Sequence, residues 1–353
     1  MKLEVSFFST QSEFISSKKN TTDSYFLFIA QKTSFDIQEC TNNSINVTCG
    51  LFPHVIYQNN YYEEGIIAIT IDEKNCTLDV VEDISNCDLA NGSLKDKVSI
   101  ITVLDGFSSH NEEFLAKLFE NIDLNVNIIG GAAGVLEKTY LSSIFDNNKG
   151  YKNAAVLLGI KNNINIQVKN GWRYLDGPYI VTSSNKNILN SIDYIDAYTL
   201  YKNVLKAKLD INLTDENYFE ISQRYPIGLI KYKGELVVRD PFARKDGKLV
   251  LLGEISTDSM INILQGDKKS LIESTNVPLQ NSDCDCCQLG LVFNCISRYI
   301  YLEEDFKLEI ENVYRNFKDA NLFGVTTLSE VANNGNRYIN LLNKTCVIGE
   351  ICN

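Results

Sequence analysis

Residues 289–331, LGLVFNCISRYIYLEEDFKLEIENVYRNFKDANLFGVTTLSEV, constrain the fold more than any other stretch. The run Leu289 to Phe293 has strand character and leads into Cys295 and Arg298. Leu322 to Leu328 forms a second apolar run that stops at Glu330. Between them Leu302, Phe306, Ile310, Val313 and Phe317 recur at helical spacing and form a single apolar stripe. Glu303 with Lys307 and Glu311 with Arg315 stand four apart, acid first, as surface pairs worth roughly a few tenths of a kcal/mol each. Two apolar strands joined by an amphipathic helix, each ending in a charged residue, have the make-up of a ligand site.

The rest of the chain repeats this alternation. Strands are expected at Leu3 to Phe8, Tyr25 to Ala30, residues 44–53, Val98 to Leu104 and Val126 to Ile129. Hairpins are expected where Val55 to Gln58 and Ile66 to Ile71 flank YYEEG, and where Ala154 to Ile160 and Ile164 to Val168 flank KNN. Ser109 and Glu112 have capping-box spacing ahead of a helical stripe that begins at Phe114. Ala197 to Leu205 reads as helix, and a β-rich section runs from Ile227 to Ile255. No repeat of fixed short period is present. The expected class is α/β, more loosely α+β. It has two lobes of mixed, mainly antiparallel sheets flanked by helices, meeting near residues 197–205.

Composition narrows the function classes. The 353 residues carry a net charge of -12, which disfavours nucleic-acid and anionic-membrane surfaces. No apolar run reaches the length of a transmembrane helix. The opening MKLEVSFFST has no long apolar region and reads as no secretion signal. The 10 cysteines are therefore expected to be free thiols of a cytoplasmic protein.

Several clusters have two readings. Gly130, Gly131 and Gly134 follow a strand without forming a G-x-G-x-x-G or P-loop pattern, so a tight turn or close backbone contact is expected. Cys284 and Cys287 have C-x-x-C spacing between Asp283 and Asp285, but a second such pair is missing. A thiol-rich loop leads over a metal site, and no metal or cofactor is assigned. Cys49 or Cys295 as a nucleophile would need a histidine, and the chain has only His54 and His110. Arg298, expected to be partly buried, needs a carboxylate or an anionic ligand, and Glu330 is the natural candidate. Arg239, ahead of Asp240-Pro241, has the same two readings.

At these residues the chain resembles the FIST sensory family. In the first half the landmarks are Gly130 to Gly134, Gly171-Trp172, Val181-Thr182, and Asp193 with Ala197 and Tyr201. In the second they are Tyr225 to Gly228, Val238-Arg239, Cys295 to Arg298, Phe323-Gly324, Glu330 and Asn343-Lys344-Thr345. The family often has a glycine where Ser329 stands, and the first 24 residues match none of its landmarks.

The resemblance implies a FIST N-terminal-like domain over 25–197 and a FIST C-terminal-like domain over 198–350. It further implies an intracellular, non-enzymatic domain that binds small molecules, amino acids among them, and signals through a separate partner protein. The expected ligand-binding residues are Trp172, Arg239, Cys295, Arg298 and Glu330, an aromatic wall with opposed charges suited to a zwitterion. A metal- or haem-binding sensor, as in one branch of the family, and a cysteine-dependent enzyme are the alternatives.

Overall fold

The computed structural model describes residues 3–18, 23–87, 89, 94–136, 142–231, 234–276, 287–317, 321–333 and 338–352. The chain opens with β1 (Val5–Phe8) and α1 (Gln11–Lys18). A first unit follows: β2 (Ser24–Ala30), α2 (Ile37–Asn42), β3 (Asn46–Phe52), the hairpin β4 (Val55–Tyr57) and β5 (Asn60–Tyr62), then β6 (Ile66–Ile71) and β7 (Cys76–Val81). The second unit has the same order: β8 (Ser99–Asp105), α3 (Asn111–Asn121), β9 (Asn127–Ala133), the hairpin β10 (Ile144–Asp146) and β11 (Gly150–Tyr151), then β12 (Ala155–Ile160) and β13 (Ile164–Lys169).

A β-rich insertion comes next: β14 (Arg173–Asn185), β15 (Ile188–Ile192), β16 (Ile195–Asp196), α4 (Ala197–Leu209), α5 (Tyr218–Ser222), β17 (Ile227–Ile230), β18 (Leu236–Lys245), β19 (Lys248–Leu252), β20 (Met260–Gln265) and α6 (Lys268–Thr275). The third unit closes the chain: β21 (Cys287–Cys295), α7 (Ile296–Leu302), α8 (Phe306–Arg315), β22 (Asn321–Thr327), the hairpin β23 (Glu330–Ala332) and β24 (Asn340–Leu342), and β25 (Cys346–Cys352).

The three units are wound into a ring by exchanging strands. Each is centred on a parallel pair, β2–β3, β8–β9 or β21–β22, whose second strand starts its pairing at an asparagine: Asn46, Asn127 and Asn321. Each unit lends its hairpin to another sheet: β4 pairs with β22, β10 with β3, and β23 with β9. Likewise β7 edges the second sheet and β13 the third, while β1 takes the matching edge of the first. The sheets are therefore β1-β6-β2-β3-β10-β11, β7-β12-β8-β9-β23-β24 and β13-β25-β21-β22-β4-β5.

The backbone repeats the same bonds in each. Leu51, Ala132 and Thr326 donate to the carbonyls of Ser143, Ser329 and His54. Ala30, Asp105 and Cys295 donate to those of Gly65, Ala154 and Thr345. Ala30, Asp105 and Cys295 are thus equivalent positions, at the carboxyl ends of the three first strands. The central strands are apolar on both faces because both faces are covered, as in β2 (SYFLFIA) and β8 (SIITVLD).

The insertion forms an antiparallel barrel, β14-β20-β17-β18-β19-β15, closed by the β14–β15 pairing. α4 buries Ala197, Leu200, Tyr201, Val204 and Leu205, and these side chains share one core with barrel residues such as Leu249 and Ile261. The chain has the mixed α/β, mainly antiparallel character that its patterning implies. Both sequence halves nevertheless contribute to the same sheets, and the barrel strands lie on both sides of residue 197.

Local expectations gave way in several places. β6 does not form a hairpin with β4, nor β13 with β12, because in each case the two strands belong to different sheets. β9 runs through Gly130 and Gly131 to Ala133 instead of ending before them. The apolar stripe Leu302, Phe306, Ile310, Val313 and Phe317 is fully used, but its helix breaks at Glu303, where φ is 55°. Glu303 pairs with Lys268 at 2.6 Å instead of with Lys307, while Glu311 and Arg315 do approach, at 3.6 Å.

Candidate ligand-binding site

The carboxyl end of the third unit is built around five residues, Leu341 to Thr345, which end β24 and lead into β25. Their backbone and side chains collect nearly every residue expected to bind ligand. The Lys344 carbonyl accepts from Trp172 Nε1 at 3.1 Å and from Arg298 Nη1 at 3.3 Å. The Lys344 ammonium is buried, 2.9 Å from Asp240 Oδ2 and 5.7 Å from the Trp172 ring centre. Arg239 Nη1 donates to the Leu341 carbonyl at 2.8 Å. Thr345 gives its N–H and its hydroxyl to Glu330 Oε2, at 3.1 and 2.7 Å.

Arg298 is wholly enclosed and has an acceptor for each of its N–H groups. Nε and Nη2 grip Glu309 at 2.9 and 2.5 Å, Nη1 also reaches the Asn170 carbonyl at 2.6 Å, and Nη2 the Leu271 carbonyl at 3.1 Å. A guanidinium has five N–H donors, so none is left for a ligand. The partner expected from the sequence, Glu330, is displaced by Glu309. Glu309 lies three residues after Phe306 and four before Val313, so it sits on the buried stripe of α8, and that position was the legible signal.

Glu330 is enclosed, and among the described residues no cation lies within 4.0 Å of it, although the Arg298 charge is felt there. Its Oε1 has no hydrogen-bond partner, and burial raises its pKa to about 8, against the opposing pull of Thr345. Cys295, beside it, is pushed well above the ordinary thiol range, first by burial and then by Glu330. A carboxyl whose folded pKa is raised favours the folded state most when protonated, so its contribution falls as pH rises from the unfolded value near 4.5 through about 8. Glu330→Gln is expected to match the parent at pH 5 and to exceed it in melting temperature at pH 9. Parallel melting curves of equal slope against pH would refute this.

Trp172, Arg239, Cys295, Arg298 and Glu330 therefore surround one segment, Leu341 to Thr345, and each is buried. An opening lies one unit away. A cleft of about 280 Å³ sits at the carboxyl end of β8 and the start of α3, facing the barrel. Gly106, Phe107, Ser109, Asn111 and Glu112 line one side, and Lys186, Phe242, Leu252 and Glu254 the other, with Ser329 and Leu341 also on its wall. Carboxyl ends of parallel strands are where open α/β sheets place ligands.

Arg239 reaches this cleft through Glu112. Glu112 Oε1 accepts from Arg239 Nη2 at 3.2 Å and from the Glu254 N–H at 2.6 Å, while Arg239 Nε donates to the Glu254 carbonyl at 2.9 Å. This replaces the expected capping box, because the Glu112 carboxylate is taken by the barrel; His110, not Ser109, is the N-cap, and its side chain makes no capping bond. Burial and then Glu112 push the Glu254 carboxyl up. Among the described residues neither Glu254 nor Lys186 has an ion-pair partner within 4.0 Å. The buried Asn111, on the same wall, leaves Oδ1 without a partner. A neighbouring cavity of about 290 Å³ shares Phe107 and is lined by Asp105, Ser143 and Lys152. There Asp105 is already satisfied by Ser143, Asn153 and Phe107.

The other sequence candidates have ordinary surroundings. Burial pushes the thiol of Cys49 well up, and burial lowers His54 to about 4, with its Nδ1 at 3.0 Å from Thr326 Oγ1. Among the described residues no three His, Cys, Asp or Glu side chains converge as a metal site. The Cys284 and Cys287 side chains lie outside the described residues. Among the described residues no helix is long and apolar enough to cross a membrane.

No curated protein matches the chain. The family model for the FIST N domain matches residues 26–194, and that for the FIST C domain matches residues 197–333. The two matches follow one another over most of the sequence, and the cleft takes its walls from both. The chain belongs to the FIST family of sensory domains.

Proposed function

We propose that this protein is a cytoplasmic sensor that holds an amino acid in the cleft between α3 and the barrel and passes its occupancy to a separate signalling protein. One observation carries the reading. The cleft joins the two FIST regions, with residues 106–109, 111, 112, 186 and 187 from one and Phe242, residues 251–254 and Ser329 from the other. Within it Glu254 and Lys186, opposite in sign and without ion-pair partners, suit the two ends of a zwitterion. The buried Cys40, Cys49, Cys76, Cys295, Cys346 and Cys352 are free thiols, in keeping with a reducing compartment.

A thermal-shift screen of the common amino acids tests the proposal. A ligand present at a hundred times its dissociation constant adds about 2.7 kcal/mol of stability, which raises the melting temperature by several degrees. The shift is expected to vanish in Lys186→Gln/Glu254→Gln. A silent panel, or a shift that survives the double substitution, would remove the cleft as the sensory site.

A further inference from the structure

We infer that the cleft selects organic cations: its preferred ligand is an arylalkyl amine whose ammonium binds Glu254 between the aromatic faces of Phe107 and Phe242. This rests on the cleft being the ligand site and departs from the amino-acid reading in one respect: the ammonium end of the ligand carries the affinity and a carboxylate end adds little.

The three charged residues of the cleft, Glu112, Lys186 and Glu254, are not equal. The backbone holds Glu254 on both sides, its N–H on Glu112 and its carbonyl on Arg239. Its carboxylate thus starts from a fixed main chain, half-buried, two residues past the end of β19. Glu112 is engaged by Arg239, so its charge is compensated within the protein. Lys186 is exposed at the tip of the β14–β15 turn. Binding a ligand carboxylate there means ordering a long solvated side chain in high dielectric, which yields little. A cation at Glu254 gains in a more sheltered setting.

The apolar walls point the same way. Phe107 is 66% exposed and Phe242 38% exposed, both unusual for phenylalanine, and both line this opening. Aromatic faces attract ammonium groups and repel carboxylates. The net charge of -12 further concentrates cations near the surface. A volume of about 280 Å³ accommodates one ring and a short chain.

Calorimetric titration of the full chain with four probes that share a phenyl ring and a short spacer decides the matter. They are 2-phenylethylamine, 3-phenylpropionate, 2-phenylethanol and phenylalanine. The amine is expected to bind at least about tenfold more tightly than the propionate or the alcohol, and no more weakly than phenylalanine. Glu254→Gln should lower amine affinity by about tenfold while leaving the alcohol unchanged. Phe107→Ala, at an exposed position that leaves folding intact, should lower amine affinity by about threefold.

Equal binding of the propionate, or amine binding indifferent to Glu254→Gln, overturns the inference and leaves the cleft as a ligand site. Binding of phenylalanine or another amino acid without the amine also overturns it, and supports the amino-acid reading. If all four probes and the amino-acid panel are silent, the cleft reading fails and this inference fails with it.

Discussion

Arg298→Ala is expected to destabilise the protein by about 3–5 kcal/mol, the cost of leaving a buried carboxylate unpaired. The mechanism is specific. Glu309 loses both contacts from the guanidinium and keeps only the Asn294 amide, at 2.7 Å from Oε1. The carbonyls of Asn170, Leu271 and Lys344 lose a donor in the same step. These carbonyls belong to the β13 exit, α6 and the β24–β25 segment, so one side chain ties the third unit to the barrel connections. Domain stabilities are typically about 5–15 kcal/mol, so this loss is a large share of the whole.

Three companions make the result diagnostic. Glu309→Ala should cost about as much, because it strands the arginine. Arg298→Lys should also fail, since an ammonium has three donors where five acceptor contacts exist. Arg298→Met/Glu309→Leu should recover most of the loss, because two apolar side chains replace a pair whose desolvation had offset much of its attraction. Urea midpoints measure all four. If Arg298→Ala melts like the parent protein, the internal-pair reading is wrong and Arg298 is free to hold an external ligand.

This pair shows what the sequence made legible and what it did not. Arg298 was recognisable as a buried cation because it follows an apolar strand. Its partner was sought at the end of the next strand, whereas Glu309 comes from the intervening helix, where a carboxylate between Phe306 and Val313 passes as a surface charge unless its angle on the helix is followed. Strands such as β2, β8 and β21 were legible as apolar runs, since each residue's burial is written in its own side chain. Their pairing was not, because it depends on partners far along the chain.

β12 and β13, separated by three residues, look like a hairpin until β13 is seen to pair with β25 at the other end of the sequence. The three-unit ring was hidden for a related reason. Its units share strand order and hydrogen-bond positions but little sequence, the barrel interrupts them, and β1 belongs by position after β25. The cleft was missed because its walls, Glu112, Lys186 and Glu254, look like surface charges. Only the pairing of α3 with the barrel brings them together.

Gly130→Val is expected to abolish folding or to cost about 4 kcal/mol or more, the range reserved for severe core disruption. Gly130 sits opposite Thr102 in the parallel pair β8–β9. A Cβ at Gly130 would lie 2.0 Å from the Thr102 carbonyl oxygen, a backbone atom that no side-chain rotation can move away. The matching rung of the third unit is also a glycine, Gly324, whose Cβ would lie 1.9 Å from the Val292 oxygen. In the first unit that rung holds Cys49, opposite Leu27, so the close approach is built into two of the three pairs.

Forcing β8 and β9 apart would move more than one rung. β9 also carries β23, with Val331 opposite Gly130 and Glu330 opposite Gly131. Ser329, on the cleft wall, holds its place through the Ala132 N–H at 2.7 Å. Gly130→Ala, which adds the smallest possible side chain, should therefore leave a weakened fold with ligand binding reduced in parallel, read as a lower urea midpoint and a smaller thermal shift. A Gly130→Ala protein with the parent midpoint and undiminished binding would show that the strands separate freely there, and that the glycine is not what positions the second unit.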